Sequence, residues 1–172
     1  CHPSMANNEA SGPAVVTFLA KYINSITNLR YSYRIIFIPE TIGSIAYLSM
    51  NLSDMKKNIE AGFNITCVGD DKNFSFLPSR FGNTLADKIA LYALEIRKIK
   101  FKRFSFLDRG SDERQYCFPG VDLPLCSVMR SKYGEYAEYH TSLDNLDFIS
   151  SSGLNGTYEV YKLIIDILET NY

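Results

Sequence analysis

Residues 31–39 read Tyr-Ser-Tyr-Arg-Ile-Ile-Phe-Ile-Pro, a run of strand length that is almost wholly aromatic and β-branched before Pro39 stops it. A strand apolar on both faces needs cover on both faces. This run therefore predicts a central place in a sheet with helices packed above and below it.

The flanking segments carry helical patterns. Gly12-Pro13 opens a helix over residues 13–25 with Val16, Leu19, Ala20 and Ile23 on one stripe. A second helix is expected over residues 42–50. A third, residues 84–99, places Leu85, Ile89, Tyr92, Ala93 and Ile96 on one face, with Asn83 or Thr84 as the N-cap. A last helix is expected over residues 154–168. Between them lie strand candidates at residues 62–68, 75–77, 101–107 and 123–129. Alternation of strands and helices predicts a three-layer α/β/α sandwich with a mixed, largely parallel sheet. Residues 1–172 show no repeat or low-complexity linker and read as one domain. The first residues look like the end of a buried strand, which makes the chain a piece of a longer protein.

Composition narrows the function classes. A chain that is 46% hydrophobic and 22% charged has enough apolar surface for a core. A formal net charge of −1, with both signs interspersed, creates no field that would recruit nucleic acid or an anionic membrane. The one basic run, residues 97–103, falls at the end of a helical pattern, where cations complement the helix dipole. No apolar stretch approaches the ~20 residues needed to span a bilayer, and no secretion signal is evident. The cysteines Cys1, Cys67, Cys117 and Cys126 form no CxxC pair and are too sparse for a disulfide scaffold, so a reducing, cytoplasmic setting is expected. Asn51, Asn64, Asn73 and Asn155 head Asn-x-Ser/Thr triplets, which read as chance occurrences.

Chemistry concentrates in the connections. Two histidines stand at opposite ends of the chain, His2 in Cys-His-Pro-Ser and His140 in Tyr-His-Thr-Ser-Leu-Asp. His2, Glu40, Asp70 and His140 each follow an apolar run or lie in a connection. Open α/β sheets gather ligands beyond the carboxyl ends of their strands. The four side chains are thus expected at one edge. Tyr116, Phe118, Tyr133, Tyr136 and Tyr139 are either packing residues or the wall of a substrate pocket.

Taken in order, Cys1-His2-Pro3-Ser4, Asn8-Glu9-Ala10-Ser11-Gly12, Pro39-Glu40-Thr41-Ile42-Gly43-Ser44, Gly110-Ser111-Asp112-Glu113 and Tyr139-His140-Thr141-Ser142-Leu143-Asp144 resemble the ordered motifs of the zinc aminopeptidase superfamily. Within it the chain looks most like a bacterial and archaeal aminopeptidase-like family associated with polysaccharide biosynthesis. The resemblance covers essentially the whole chain. It implies a zinc-dependent hydrolase that uses a metal-activated water on a peptide or amide bond, with a peptide, aminoacyl or amide-bearing small molecule as substrate. The matched positions make His2 and His140 the zinc ligands, Asn8 a weak oxygen ligand and Glu40 the general base. Three positions depart from the superfamily pattern. Asn8 stands for a metal-bridging Asp, Thr41 for the second acid of a Glu-Glu pair, and Ser4 for an Asp that orients the first His. A further ligand position falls on Asp70, Asp71 or, without gaps, Cys67. Loss of these carboxylates leaves too little negative charge for two dications, so one zinc ion is expected. The same losses motivate an alternative, a catalytically impaired aminopeptidase-like binding protein.

Overall fold

Four strands and five helices follow one another in a computed structural model that describes His2 and residues 4–170. A tight turn of π geometry, Ala6–Ala10, leads into α1 (Ser11–Ser25), which buries Val15 and Leu19. α2 (Ile42–Asn58) carries Lys56 and Lys57 in its last turn, where they complement the carbonyl end of the helix. β1 (Gly62–Phe63) and β2 (Phe74–Leu77) precede α3 (Leu85–Ile96). Thr84 caps α3: its hydroxyl accepts the Asp87 N–H, and the Asp87 carboxylate accepts the Thr84 N–H at 2.9 Å. This reciprocal pairing satisfies two amides that the helix leaves open. β3 (Phe101–Arg103), α4 (Glu113–Tyr116), β4 (Leu125–Met129) and α5 (Ser151–Thr170) complete the order.

The sheet runs β1-β4-β2-β3. β1 pairs in parallel with β4 and β2 with β3, while β2 and β4 are antiparallel, so the sheet is mixed and largely parallel. α1, α3 and α5 cover one face, where Val15, Leu19, Ala90 and Ile164 close over Val68, Phe76 and Val128. α2 and α4 lie on the other, with Leu48, Met55, Tyr116 and Leu123 in one cluster. Each large apolar side chain buried this way contributes roughly 1.5–3 kcal/mol. A third cluster, Cys67, Leu77, Met129, Tyr133 and Tyr136, anchors the long connection from β4 to α5. The three-layer α/β/α arrangement is the expected one.

Several boundaries differ from expectation for local reasons. Residues 32–39 carry no strand, and Phe37 is 58% exposed. Among the described residues no main-chain hydrogen bond joins residues 32–38 to another strand, so the most strand-like run lacks a ladder partner. The strand expected over residues 62–68 ends at Phe63, and further on Cys67 takes φ +52°, which no β-ladder accepts. The strand expected to residue 107 ends at Arg103, because Ser105 and Asp108 cap a short 3-10 turn, Phe106–Asp108. α2 runs to Asn58 rather than residue 50. The basic run divides: Arg97 ends α3, Lys98 turns the chain at φ +53°, and Lys102 and Arg103 belong to β3. The expected strand end at Cys1 lies outside the described residues. No helix among them is long and apolar enough to cross a membrane.

Candidate functional site

The turn after His2 and the connection before α5 are tied together by one acid. Asp144, 1% exposed, accepts the main-chain N–H of Asn7 at 2.6 Å through Oδ1 and that of Asn8 at 3.1 Å through Oδ2. The Tyr136 hydroxyl donates to the same carboxylate at 3.2 Å. Asn7, fully buried, reaches the other way: its Oδ1 accepts from Gly69 N–H at 2.7 Å and its amide donates to Asp70 at 3.1 Å. Three chain segments far apart in sequence are thereby fixed beyond the carboxyl end of β4, where Ser131 N–H donates to Asp70.

The consequence is that His2 and His140 meet. Their ring centroids are 4.3 Å apart with the planes tilted by 40°. His140 is exposed, sits at φ +56° and stacks on Tyr139 with centroids 3.8 Å apart. His2 places Nδ1 3.3 Å from Glu9 Oε1, and the Asn8 side-chain amide donates to the same oxygen at 3.1 Å. Asn8 Oδ1 faces the Cys67 sulfur at 3.6 Å. Burial pushes the Cys67 thiol up to about 12, so at neutral pH it is an S–H donor to Asn8.

Glu40 arrives from another direction. It is half-buried just before α2, where Thr41 takes φ +62° and donates its N–H to Asp112 at 2.8 Å. Burial raises the Asp112 carboxyl above its ordinary range, and the charge of Glu40 adds to that effect. Burial likewise raises the Tyr139 hydroxyl, with Glu40 and Glu9 among the charges that act on it. Glu40 therefore stands within electrostatic reach of the ring on which His140 stacks.

The acids considered as further ligands are engaged elsewhere. Asp70 is fully buried and accepts from Asn7, Lys72 N–H, and the Ser131 N–H and hydroxyl. Asp71 is held by the Ser150 and Ser152 hydroxyls, which keep its carboxyl below the usual range. Glu113 is fully buried and accepts from Asn64, the Ser127 hydroxyl at 2.6 Å, Ser111 N–H and the Tyr133 hydroxyl. Tyr116, Tyr133 and Tyr136 are packing residues, Phe118 is 60% exposed, and Tyr139 borders the histidines. Among the described residues no group of three or more His, Cys, Asp and Glu side chains is arranged to hold a metal ion. Two residues escaped the sequence reading: Glu9, the partner of His2, and Asn7, whose side chain pins the turn. Each lies within or beside a quoted motif, which was the only signal available.

A family model described as a domain of unknown function, DUF4910, matches residues 1–171. The chain belongs to the DUF4910 family. Over 171 residues it is 44% identical to a Clostridium acetobutylicum protein named for polysaccharide biosynthesis and an aminopeptidase-like domain; the match covers 99% of this chain and 39% of that protein. A crystal structure from the same organism, named as a peptidase, superposes with a TM-score of 0.94 at 43% identity, covering 99% of this chain and 40% of that one. A zinc aminopeptidase from Bacillus subtilis superposes with a TM-score of 0.77 at 18% identity, covering 93% of this chain and 41% of its own, and shows the shared fold. This DUF4910 chain thus has an aminopeptidase-like fold and spans about two fifths of the length of its Clostridium relatives.

Proposed function

We propose that the His2–His140 cluster is a mononuclear zinc site of an aminopeptidase-like hydrolase acting on a peptide or amide bond. The observation that carries this reading is the 4.3 Å approach of two imidazoles from opposite ends of the chain. With zinc–nitrogen bonds of roughly 2.0–2.1 Å, two imidazoles on one tetrahedral ion have ring centroids roughly 5 Å apart, so the pair would share one ion after parting by about 1 Å. The donor set suits a single ion. Glu9 at His2 Nδ1 holds the tautomer that leaves Nε2 free as a ligand, the usual pairing of carboxylate and metal-bound histidine. His140 and the Asn8 side-chain oxygen complete the protein ligands. Two ions do not suit it, since Asp70 and Asp144 are occupied by hydrogen-bond donors and Asn8 brings no charge.

Bound zinc supplies a Lewis acid for a carbonyl oxygen and lowers the pKa of water. The other work falls to the chain. Glu40 accepts the proton of the attacking water and returns it to the leaving amine. Tyr139 and His140 form one side of the substrate position. The relative's name supports a peptide, an aminoacyl group or an amide-linked substituent of a polysaccharide precursor as substrate. The test pairs elemental analysis with turnover. Protein prepared without added metal carries close to one zinc per chain and hydrolyses aminoacyl amides in a chelator-sensitive way, and Glu40→Gln abolishes turnover while retaining the metal. Zinc-free protein without turnover overturns the reading.

A second reading has its own observation. Asn8 Oδ1 already accepts the Cys67 thiol, and Thr41 stands where a second acid would add charge. These features support a binding protein that keeps the fold and has lost catalysis. Unchanged biological activity in Glu40→Gln would favour it.

A further inference from the structure

The exposed side chain of Arg114, on α4, is held in place without being neutralised. Its Nε donates to the Ser111 carbonyl at 3.2 Å and its Nη2 to the Thr41 hydroxyl at 3.1 Å. Both acceptors are uncharged, and a guanidinium carries further N–H donors, so part of the fork stays open. Among the described residues no carboxylate lies within ion-pair distance of Arg114, whereas Arg34, Arg80, Arg97 and Arg130 each reach an aspartate or a glutamate. The hydroxyl that holds Arg114 is fixed in turn. Thr41, at φ 62° and ψ −69°, centres a γ-turn of the rare, strained hand, closed by the Ile42 N–H donating to the Glu40 carbonyl at 2.7 Å. Asp112 Oδ1 secures that turn by accepting the Thr41 N–H at 2.8 Å. Bracing Thr41 asks for a donor and not for a charge, so the charge of Arg114 is left for a ligand.

Its place is beside the site. Thr41 directly follows Glu40, so one hydrogen bond separates the guanidinium from the residue after the base. Burial raises the Tyr139 hydroxyl, Glu40 and Glu9 push the same way, and Arg114 pulls it back. All three charges therefore lie within electrostatic reach of the ring that stacks on His140. We propose that Arg114 is a specificity-determining residue that binds an anionic group, a carboxylate or a phosphate, of the amide-bearing substrate. The proposal rests on the reading of His2, His140 and Glu40 as a hydrolase site. A planar fork matches two oxygens of such a group at once, which a neutral group cannot offer. Because the guanidinium is already held on two sides, less side-chain freedom is lost when the anion arrives.

The test is calorimetric titration of the full-length protein with alanyl-glutamyl amide, its glutaminyl isostere, alanyl-phosphoseryl amide and its seryl counterpart. An exposed, well-formed ion pair is worth about fivefold, so at least one anionic probe should bind about fivefold or more tightly than its neutral counterpart. Which of the two does so tells carboxylate from phosphate. Arg114 is exposed, so its variants should fold. Arg114→Ala should bring that ratio below about twofold, and Arg114→Lys, which keeps the charge without the fork, should recover part of it. A ratio near one in the native protein overturns the proposal. So does an equal loss for every probe in Arg114→Ala, the mark of a mere brace for Thr41, and so does binding of none of them. The titration needs no turnover and is run with and without zinc. A preference held by protein that lacks zinc and turnover supports the role of Arg114 and sinks only the hydrolase reading, whereas an active zinc enzyme with no preference overturns the role of Arg114 alone.

Discussion

Two polar regions of the molecule behave in opposite ways. Asp70, Glu113 and Asp144 are at most 1% exposed, and each accepts three or four hydrogen bonds from loops that it joins. His2 and His140 keep solvent access, and the polar contacts around His2 are long, 3.3 Å to Glu9 and 3.6 Å between Asn8 and Cys67. A carboxylate whose lone pairs are filled with protein donors holds structure and has nothing left for a ligand. His2, with Nδ1 engaged by Glu9, and His140, stacked on Tyr139, are positioned to bind. The acids build the frame, and the histidines use it.

The largest expected effect is on the frame. Glu113→Ala strands the Asn64 amide, the Ser127 and Tyr133 hydroxyls and the Ser111 N–H in a closed site. Buried donors left without acceptors cost about 1–3 kcal/mol each, partly relieved by relaxation, so urea unfolding should show a loss of about 3–5 kcal/mol. A loss below about 1 kcal/mol would break the contrast by making Glu113 dispensable.

His140→Ala tests the other side. His140 is exposed and its φ of +56° is equally strained for alanine, so stability should change by less than about 0.5 kcal/mol. Zinc affinity, measured by calorimetric titration, should fall at least about 100-fold, since a direct ligand matters more than its supporting partner. A stability loss comparable to that of Glu113→Ala would place His140 in the frame instead. Glu9→Ala sharpens the same point. Zinc affinity should fall by about 10–100-fold if Glu9 orients His2, and by less than about threefold if the 3.3 Å contact is incidental.

The contrast also explains what could be read from the sequence. Local devices were legible: Thr84 was one of two caps expected, with Asn83, and its partner Asp87 lies only three residues away. The histidines were legible as polar residues of connections, and His2 and His140 do meet. The frame was not. Glu113 stood in the sequence only as the end of Gly110-Ser111-Asp112-Glu113, and only its long-range contacts with Asn64 and Ser127 show it to be buried. Residues 31–39 failed in the opposite sense, since apolar patterning reports a preference for a ladder and says nothing of whether a partner strand is present.

Asp112 lies between the two classes, and the smallest effect is expected there. Its Oδ1 accepts the Thr41 N–H as a strut does, yet burial, with the charges of Glu40 and Glu113 beside it, holds its carboxyl above the ordinary range. A carboxyl raised on folding favours the protonated form. Its contribution is present in full below the unfolded value of 3.8 and is lost as pH rises through the higher folded value. Above that point the ionised group works against the fold. Asp112→Asn keeps an oxygen for the Thr41 N–H and removes the charge. The variant should therefore match the native protein at pH 3 and be the more stable of the two at pH 7, by less than about 1 kcal/mol. A loss at pH 7 would show that the charge on Asp112 is needed to hold Thr41, which would move it among the acids of the frame.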